Sequence, residues 1–298
     1  MNFTIVILCL IWGFNWVIMK QANSVFPPVL FAGYRFGLGA AVLLAFYVYK
    51  RVPLPDKKDW KWIIACGLLH TTYFNIAIQL SLNEMSAGLT SVLTYSMPLW
   101  LTVMAHFWIP GERLTLSKMA GVLLGIAGLL LALDVHWGGG FGSFLLALSS
   151  GMAWAVSTVI MKRKLVHCDN MQFTTWQMAV GAVGLYLYSL CFEHGESRWG
   201  IMPVIYIVFA GVIASALAFI LWFRILSTLE ASKASISLLM VPVIGVLSGY
   251  LVLNESLNPA TLGGIVCILA GVWLVHAQKP ELRKKNTMVN FPAENDTL

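Results

Sequence analysis

The chain has 298 residues, of which 59% are apolar and 11% charged, with a formal net charge of +6 and a mean hydropathy of +0.79. Soluble domains carry roughly 25% charge, so 19 basic and 13 acidic side chains are too few to cover a water-facing surface of this size. No block of interleaved basic and aromatic residues forms a nucleic-acid face, and five scattered cysteines supply neither a disulfide nor a metal framework.

A hydrocarbon layer of roughly 30 Å takes about 20 helical residues, and apolar runs of that order predict ten transmembrane helices. They lie at 3–22, 29–49, 62–81, 86–108, 116–133, 140–161, 171–192, 202–223, 232–253 and 260–277. Open sheet edges are not tolerated against lipid, so the runs are read as helices. The first lacks a basic n-region and a small-x-small cleavage site, and is read as a span rather than a signal peptide. It carries Trp12 and Asn15.

The second span holds Arg35, the one formally charged side chain well inside a predicted span. Such a charge is costly in lipid. It either is structural, snorkelling toward the outer interface or bonding to carbonyls at the ends of broken helices, or attracts a substrate carboxylate or phosphate. The third span supplies His70, Tyr73, Asn75 and Gln79. His70 is a candidate proton carrier, or a neutral histidine satisfied at a helix contact. The fourth has Tyr95 and Pro98. Pro98 is placed mid-helix, where its missing N–H frees the carbonyl of Thr94 and favours a kink. Beyond a Gly138-Gly139-Gly140 turn, the sixth span carries Trp154 and Ser157, and the eighth Trp222. The ninth has Pro242, read as freeing the carbonyl of Leu238. The two prolines are candidate hinges, or simple shape devices. Asn258-Pro259 reads as an N-cap with proline at N1 of the tenth span. The side chains of Trp12, Asn15, Arg35, His70, Tyr73, Asn75, Gln79, Tyr95, Trp154, Ser157 and Trp222 are candidates to line a substrate cavity, since aromatic faces with a few hydrogen-bonding groups suit a small amphipathic solute. Each aromatic has packing as its alternative role.

Charge bias sets the orientation. With the N-terminus inside, the outside segments carry only Lys20 and Arg198. The inside segments carry Lys50, Arg51, Lys57, Lys58, Lys61, Arg113, Lys118, Lys162, Arg163, Lys164, Arg224, Lys233 and the tail basics Lys279, Arg283, Lys284 and Lys285. This predicts both termini in the cytoplasm.

The halves repeat. Trp12, Val17, Ile18, Met19 and Lys20 recur as Trp154, Val159, Ile160, Met161 and Lys162, and the same offset pairs Phe31 with Phe173, Gly39 with Gly181, and Arg35 with Gln177. Further on, Pro98 matches Pro242, Glu112 matches Glu255, and Gly121 and Gly128 match Gly264 and Gly271. Five spans per half put the second copy upside down relative to the first, the arrangement that supports alternating access around a midplane site. The expected fold is an all-α polytopic membrane protein with ten transmembrane helices as two inverted five-helix repeats, at 1–136 and 137–278, followed by a polar basic tail at 279–298.

These residues, with Trp12-Gly-Phe-Asn15-Trp16 in the first span, Arg35 in the second, prolines in the fourth and ninth, and Gly111-Glu112 and Asn254-Glu255 after them, resemble EamA-type permeases of the drug/metabolite transporter superfamily over about residues 3–278. The resemblance implies a bacterial-type inner-membrane exporter of amino acids or related metabolites. It also implies that helices 1, 3, 4, 6, 8 and 9 line the cavity, while 5 and 10 pack peripherally. Uptake, drug efflux and sugar-phosphate exchange on the same architecture are the alternatives, with a membrane scaffold subunit as the non-transport one. The partners expected are a small solute and membrane lipid. A monomer is expected, with a dimer through Gly245-x-x-x-Gly249 as the alternative. No His-Glu-x-x-His, Gly-x-Ser-x-Gly or phosphate-loop motif is present, so neither enzymatic chemistry nor a cofactor or metal is expected.

Overall fold

The computed structural model describes residues 3–84, 90, 93–132, 140–253 and 259–276. The expected glycine turn at 138–139, Glu255, the Asn258 cap and the basic tail lie outside the described residues. The helices are α1 (Phe3–Ala22), α2 (Pro28–Tyr49), α3 (Trp60–Glu84), α4 (Met97–Trp108), α5 (Leu116–Ala132), α6 (Phe141–Lys164), α7 (Asn170–Phe192), α8 (Ile201–Thr228), α9 (Ala231–Val252) and α10 (Pro259–His276).

The protein is an all-α, multi-span membrane protein. Among the described residues six helices, α1, α2, α3, α6, α8 and α9, are long and apolar enough to cross a membrane. That corrects the expectation that all ten apolar runs would be full-length spans. The run at 86–108 is broken by a turn at Tyr95–Ser96, leaving α4 with 12 residues, and α5 has 17, about 26 Å at the helical rise. α7 is long, but Asn170, Gln172, Thr174, Thr175 and Gln177 crowd its first half.

Local chemistry places the ends. Proline begins α2, where its missing N–H costs nothing. Asp169 caps α7, its carboxylate accepting from the backbone N–H of Met171 at 2.8 Å and Gln172 at 3.3 Å, while Gln172 reaches back to Asp169 N–H. Leu238 and Leu239 interrupt α9 just before Pro242. The Leu238 carbonyl is not freed, because it accepts from Val241 N–H at 2.8 Å.

Packing follows matched pairs. α5 lies along α10 and α2 along α7, while α1 packs on α9 as α4 does on α6. Within α3 and α8 the stretches Gly67–Tyr73 and Phe209–Leu217 are π-helical, and α7 packs on the first as α2 does on the second. Glycine allows both approaches. A Cβ on Gly39 would lie 2.9 Å from the Gly211 carbonyl, and one on its repeat mate Gly181 3.0 Å from the Gly67 carbonyl. Along α5 and α10, a Cβ on Gly128 would meet the Gly264 carbonyl at 2.6 Å, and one on Gly271 would meet the Gly121 carbonyl at 2.6 Å. Bare backbones therefore touch backbones, as in membrane helix seams that lack a water-driven hydrophobic force.

Candidate functional site: an aromatic cavity around one arginine

Near the middle of the bundle the large side chains are aromatic. Trp12 meets Trp154 edge-on at 5.7 Å and Phe219 at 5.5 Å, and His70 stacks on Trp154 at 5.3 Å. Next to them is a small, open-sided cavity of about 50 Å³. α1 lines it with Trp12, Asn15, Trp16 and Met19, which share one helix face by their three- and four-residue spacing. α2 adds Arg35 and Phe36, and α3 adds His70, Phe74, Asn75 and Ile78. Thr94 and Tyr95, just before α4, close one side, with Trp154 of α6 and Phe219 of α8.

Arg35 is 7% exposed. Its Nε donates to the Ser215 hydroxyl at 2.7 Å, one terminal nitrogen lies 3.6 Å from Met19 Sδ and the other 3.5 Å from the Ala214 carbonyl. Its guanidinium carbon sits 4.7 Å above the Phe36 ring. All these contacts are neutral, and among the described residues no carboxylate lines the cavity. Trp12 Nε1 donates to the Ala214 carbonyl at 3.0 Å, and Asn75 Nδ2 to the Thr71 carbonyl at 2.7 Å. Asn15 Oδ1 and Trp154 Nε1 are buried without a protein partner.

Of the expected cavity residues, Trp12, Asn15, Arg35, His70, Asn75, Tyr95 and Trp154 come together here. The others do not. Tyr73 is 39% exposed and its hydroxyl pairs with that of Ser149 at 2.7 Å. Gln79 accepts from Asn23 Nδ2 at 2.9 Å near the end of α1. Ser157 is buried with its carbonyl 3.6 Å from the Cys66 thiol, and Trp222 is fully buried, 6.1 Å from both Trp12 and Trp154. Pro98 and Pro242 lie buried at helix interruptions, away from the lining. The π turns, the α7 cap and the contacts of Glu112 were not anticipated. Gly67 and Gly211 at matched positions, and the Asp-x-x-Gln spacing at 169–172, are the signals that carry the first two.

The cavity takes its α1 residues from 12 to 19. Toward the start of that helix the bundle is filled by Ile5, Leu8, Cys9, Phe223 and Leu226, each at most 2% exposed. Beyond them, polar contacts join α4, α5, α6 and α9. Glu112, 6% exposed, accepts from Ala231 N–H at 2.6 Å, from Ser232 N–H at 3.1 Å, and from the Ser232 hydroxyl. Gly111 at φ +85° makes the turn that aims it. Lys118 pairs with Glu230 at 2.6 Å, Lys233 with Glu230 at 3.2 Å, and Lys162 donates to the Leu229 carbonyl at 2.6 Å. Burial opposes ionisation of Glu230, yet Lys118 and Lys233 outweigh it and hold its carboxyl below the usual range, so the group stays charged at neutral pH.

One group of metal-ligating side chains occurs among the described residues, Asp56, Asp59 and His167, with ligand atoms within 4.8 Å of each other. His167 Nε2 is 2.8 Å from buried Asp59, so the buried carboxylate already has its partner.

The sequence profile of the EamA-like transporter family matches residues 1–133 and 142–277. The chain is 32% identical to the uncharacterized transporter YoaV of Bacillus subtilis, over 91% of this chain and 94% of that one. It is 26% identical to a probable amino-acid metabolite efflux pump of Salmonella typhimurium, over 92% and 93%. A solved crystal structure superposes with a TM-score of 0.79 at 20% identity, covering 92% of this chain and 96% of the other, a likeness of fold.

Proposed function

The chain belongs to the EamA-like transporter family, a multi-pass small-molecule membrane transporter and not an enzyme, and from that premise we propose that it exports amino acids or related small metabolites by alternating access. The observation that carries this reading is the aromatic cavity around Arg35, with packed apolar side chains toward the start of α1 and the Glu112 contacts beyond them. The name of the Salmonella relative supports the solute class.

The same reading takes all ten helices as two inverted repeats at 1–136 and 137–278, with a cytoplasmic tail at 279–298 and both ends on the inner face of the cell membrane. Support comes from the two-segment family match, from the lysine and arginine bias, and from contacts that recur between repeat mates. Gly39 against Gly211 and Ser215 is matched by Gly181 against Gly67 and Thr71. Alternating access then means that the sealed and open ends exchange roles by rocking of one repeat on the other.

Counterflow in liposomes tests the function. Vesicles preloaded with a mixture of unlabelled amino acids should accumulate labelled ones from outside in a saturable way. Uptake no faster than in protein-free vesicles, across the whole panel, would refute the transporter reading for these solutes. The hinge role of the prolines has its own expectation. Pro98→Ala should slow counterflow several-fold while leaving protein abundance near wild type, because the turn at Tyr95–Ser96 loses the residue that forbids continuous helix there. Equal losses of rate and abundance would make Pro98 a folding residue only.

A further inference from the structure

We infer that the cavity is built for a monoanion, a carboxylate carried on a flat apolar ring, and that it discriminates against the zwitterionic and cationic forms of the same skeleton. The inference rests on the transport reading above and moves its solute class from zwitterionic amino acids to the related small carboxylate metabolites.

Charge balance is the first argument. Arg35 is the formal cation on the cavity wall, and what surrounds it is neutral: the Ser215 hydroxyl, the Ala214 carbonyl, Met19 sulfur and the Phe36 ring. The other ionisable side chains on the lining, His70 and Tyr95, supply no negative charge at neutral pH. Nearby Glu84 is engaged elsewhere, accepting from the Ser143 hydroxyl at 2.6 Å. A buried ion is stable in low dielectric when paired, and the guanidinium fork suits a carboxylate. A monoanion brings the site to neutrality. A zwitterion restores the single positive charge it found, and a cation doubles it.

Polar geometry is the second. Asn15 Oδ1 is enclosed in the lining, in a side chain 4% exposed, and lacks a protein partner. Trp154 Nε1 is likewise an unpartnered donor. Both atoms belong to lining residues and are closed to water-sized space in this conformation; where the lining opens around a ligand they serve an uncharged ring N–H or O–H and a second carboxylate oxygen. An ammonium group would find an amide oxygen and ring faces, with no carboxylate to compensate its desolvation. The ring faces of Trp12, Trp16, Phe74 and Phe219 supply the slot for the apolar body.

Three probes share one ring and differ in charge: 3-phenylpropionate, phenylalanine and phenethylamine. With the full chain in nanodiscs, tryptophan fluorescence should show the anion binding about tenfold or more tighter than the zwitterion, with the cation weakest. Arg35→Gln, which copies the side chain of the repeat mate Gln177, should weaken anion binding by a similar factor and flatten the order, while Arg35→Lys should retain the preference. Asn15→Asp, which adds the missing negative charge, should shift the preference toward phenylalanine, a gain that a misfolded protein would not give. Equal or tighter binding of phenylalanine to the wild type overturns the inference, as does an Arg35→Gln variant with unchanged anion binding. Carrier-dependent counterflow of amino acids without preference for anions leaves the transport reading standing and this one refuted. Arg35-dependent anion binding with no flux of any solute does the reverse.

Discussion

Glu112→Ala is expected to lower the stability of the purified protein by about 3 kcal/mol, the usual scale for stripping the partner from a buried charged hydrogen-bond cluster. The carboxylate holds the backbone N–H groups of Ala231 and Ser232 and the Ser232 hydroxyl. These are the helix-end donors at the beginning of α9 that have no carbonyl partner within the helix, where the dipole favours a negative group. Removing it leaves two buried N–H groups without an acceptor. It also removes the tie between the end of α4 and the start of α9. Glu112→Gln keeps one acceptor oxygen and should cost about 1 kcal/mol. Thermal unfolding in detergent, followed by fluorescence, would order the three proteins as wild type, Gln, Ala. If wild type and the Ala variant melted together, the contact would be ornamental.

Gly128→Ala should cost about 2 kcal/mol, within the range for overpacking a tight interior. The added carbon would sit 2.6 Å from the Gly264 carbonyl, a backbone atom that no rotamer change can move aside. Gly271→Ala meets the Gly121 carbonyl at the same 2.6 Å and should cost about as much. Because α5 and α10 must separate in either variant, the double substitution should cost clearly less than the two single losses together. Strict additivity in that cycle would show that the two contacts yield independently, and that the helices bend locally instead of parting.

Much of the fold was written in apolar run length, because lipid leaves helix as the option for a chain of this composition. The paired glycines of the two halves were legible as repeat mates, whereas the pairing of α5 with α10 and of α2 with α7 came only from the structure. Span length was less legible. Pro98 marked an interruption, but composition alone did not say that α4 would be reduced to 12 residues. Site residues were legible where the helix is regular, as in α1, whose Trp12 and Asn15 share a face. They were misplaced in α3, where Tyr73 and Gln79 do not line the cavity alongside His70 and Asn75. The π turn at Gly67–Tyr73 inserts extra residues per turn, so a face drawn at 3.6 residues per turn loses Tyr73 there, while Gln79, one regular turn beyond Asn75, is taken up by Asn23 at the end of α1. Glu112 stood out as one half of a repeated motif, but the donors it accepts from lie on α9, more than a hundred positions away. Nothing in local spacing reports that.

The seam between α5 and α10 has a mechanical consequence. Where glycine faces carbonyl, backbone meets backbone and Leu124, Cys267 and Ile268 close in beside the contact, so the pair has little soft freedom along that line. It behaves as a stator: strain arriving from the rest of the bundle is passed through undiminished rather than absorbed, and compliance is left to the broken helices that ring the cavity.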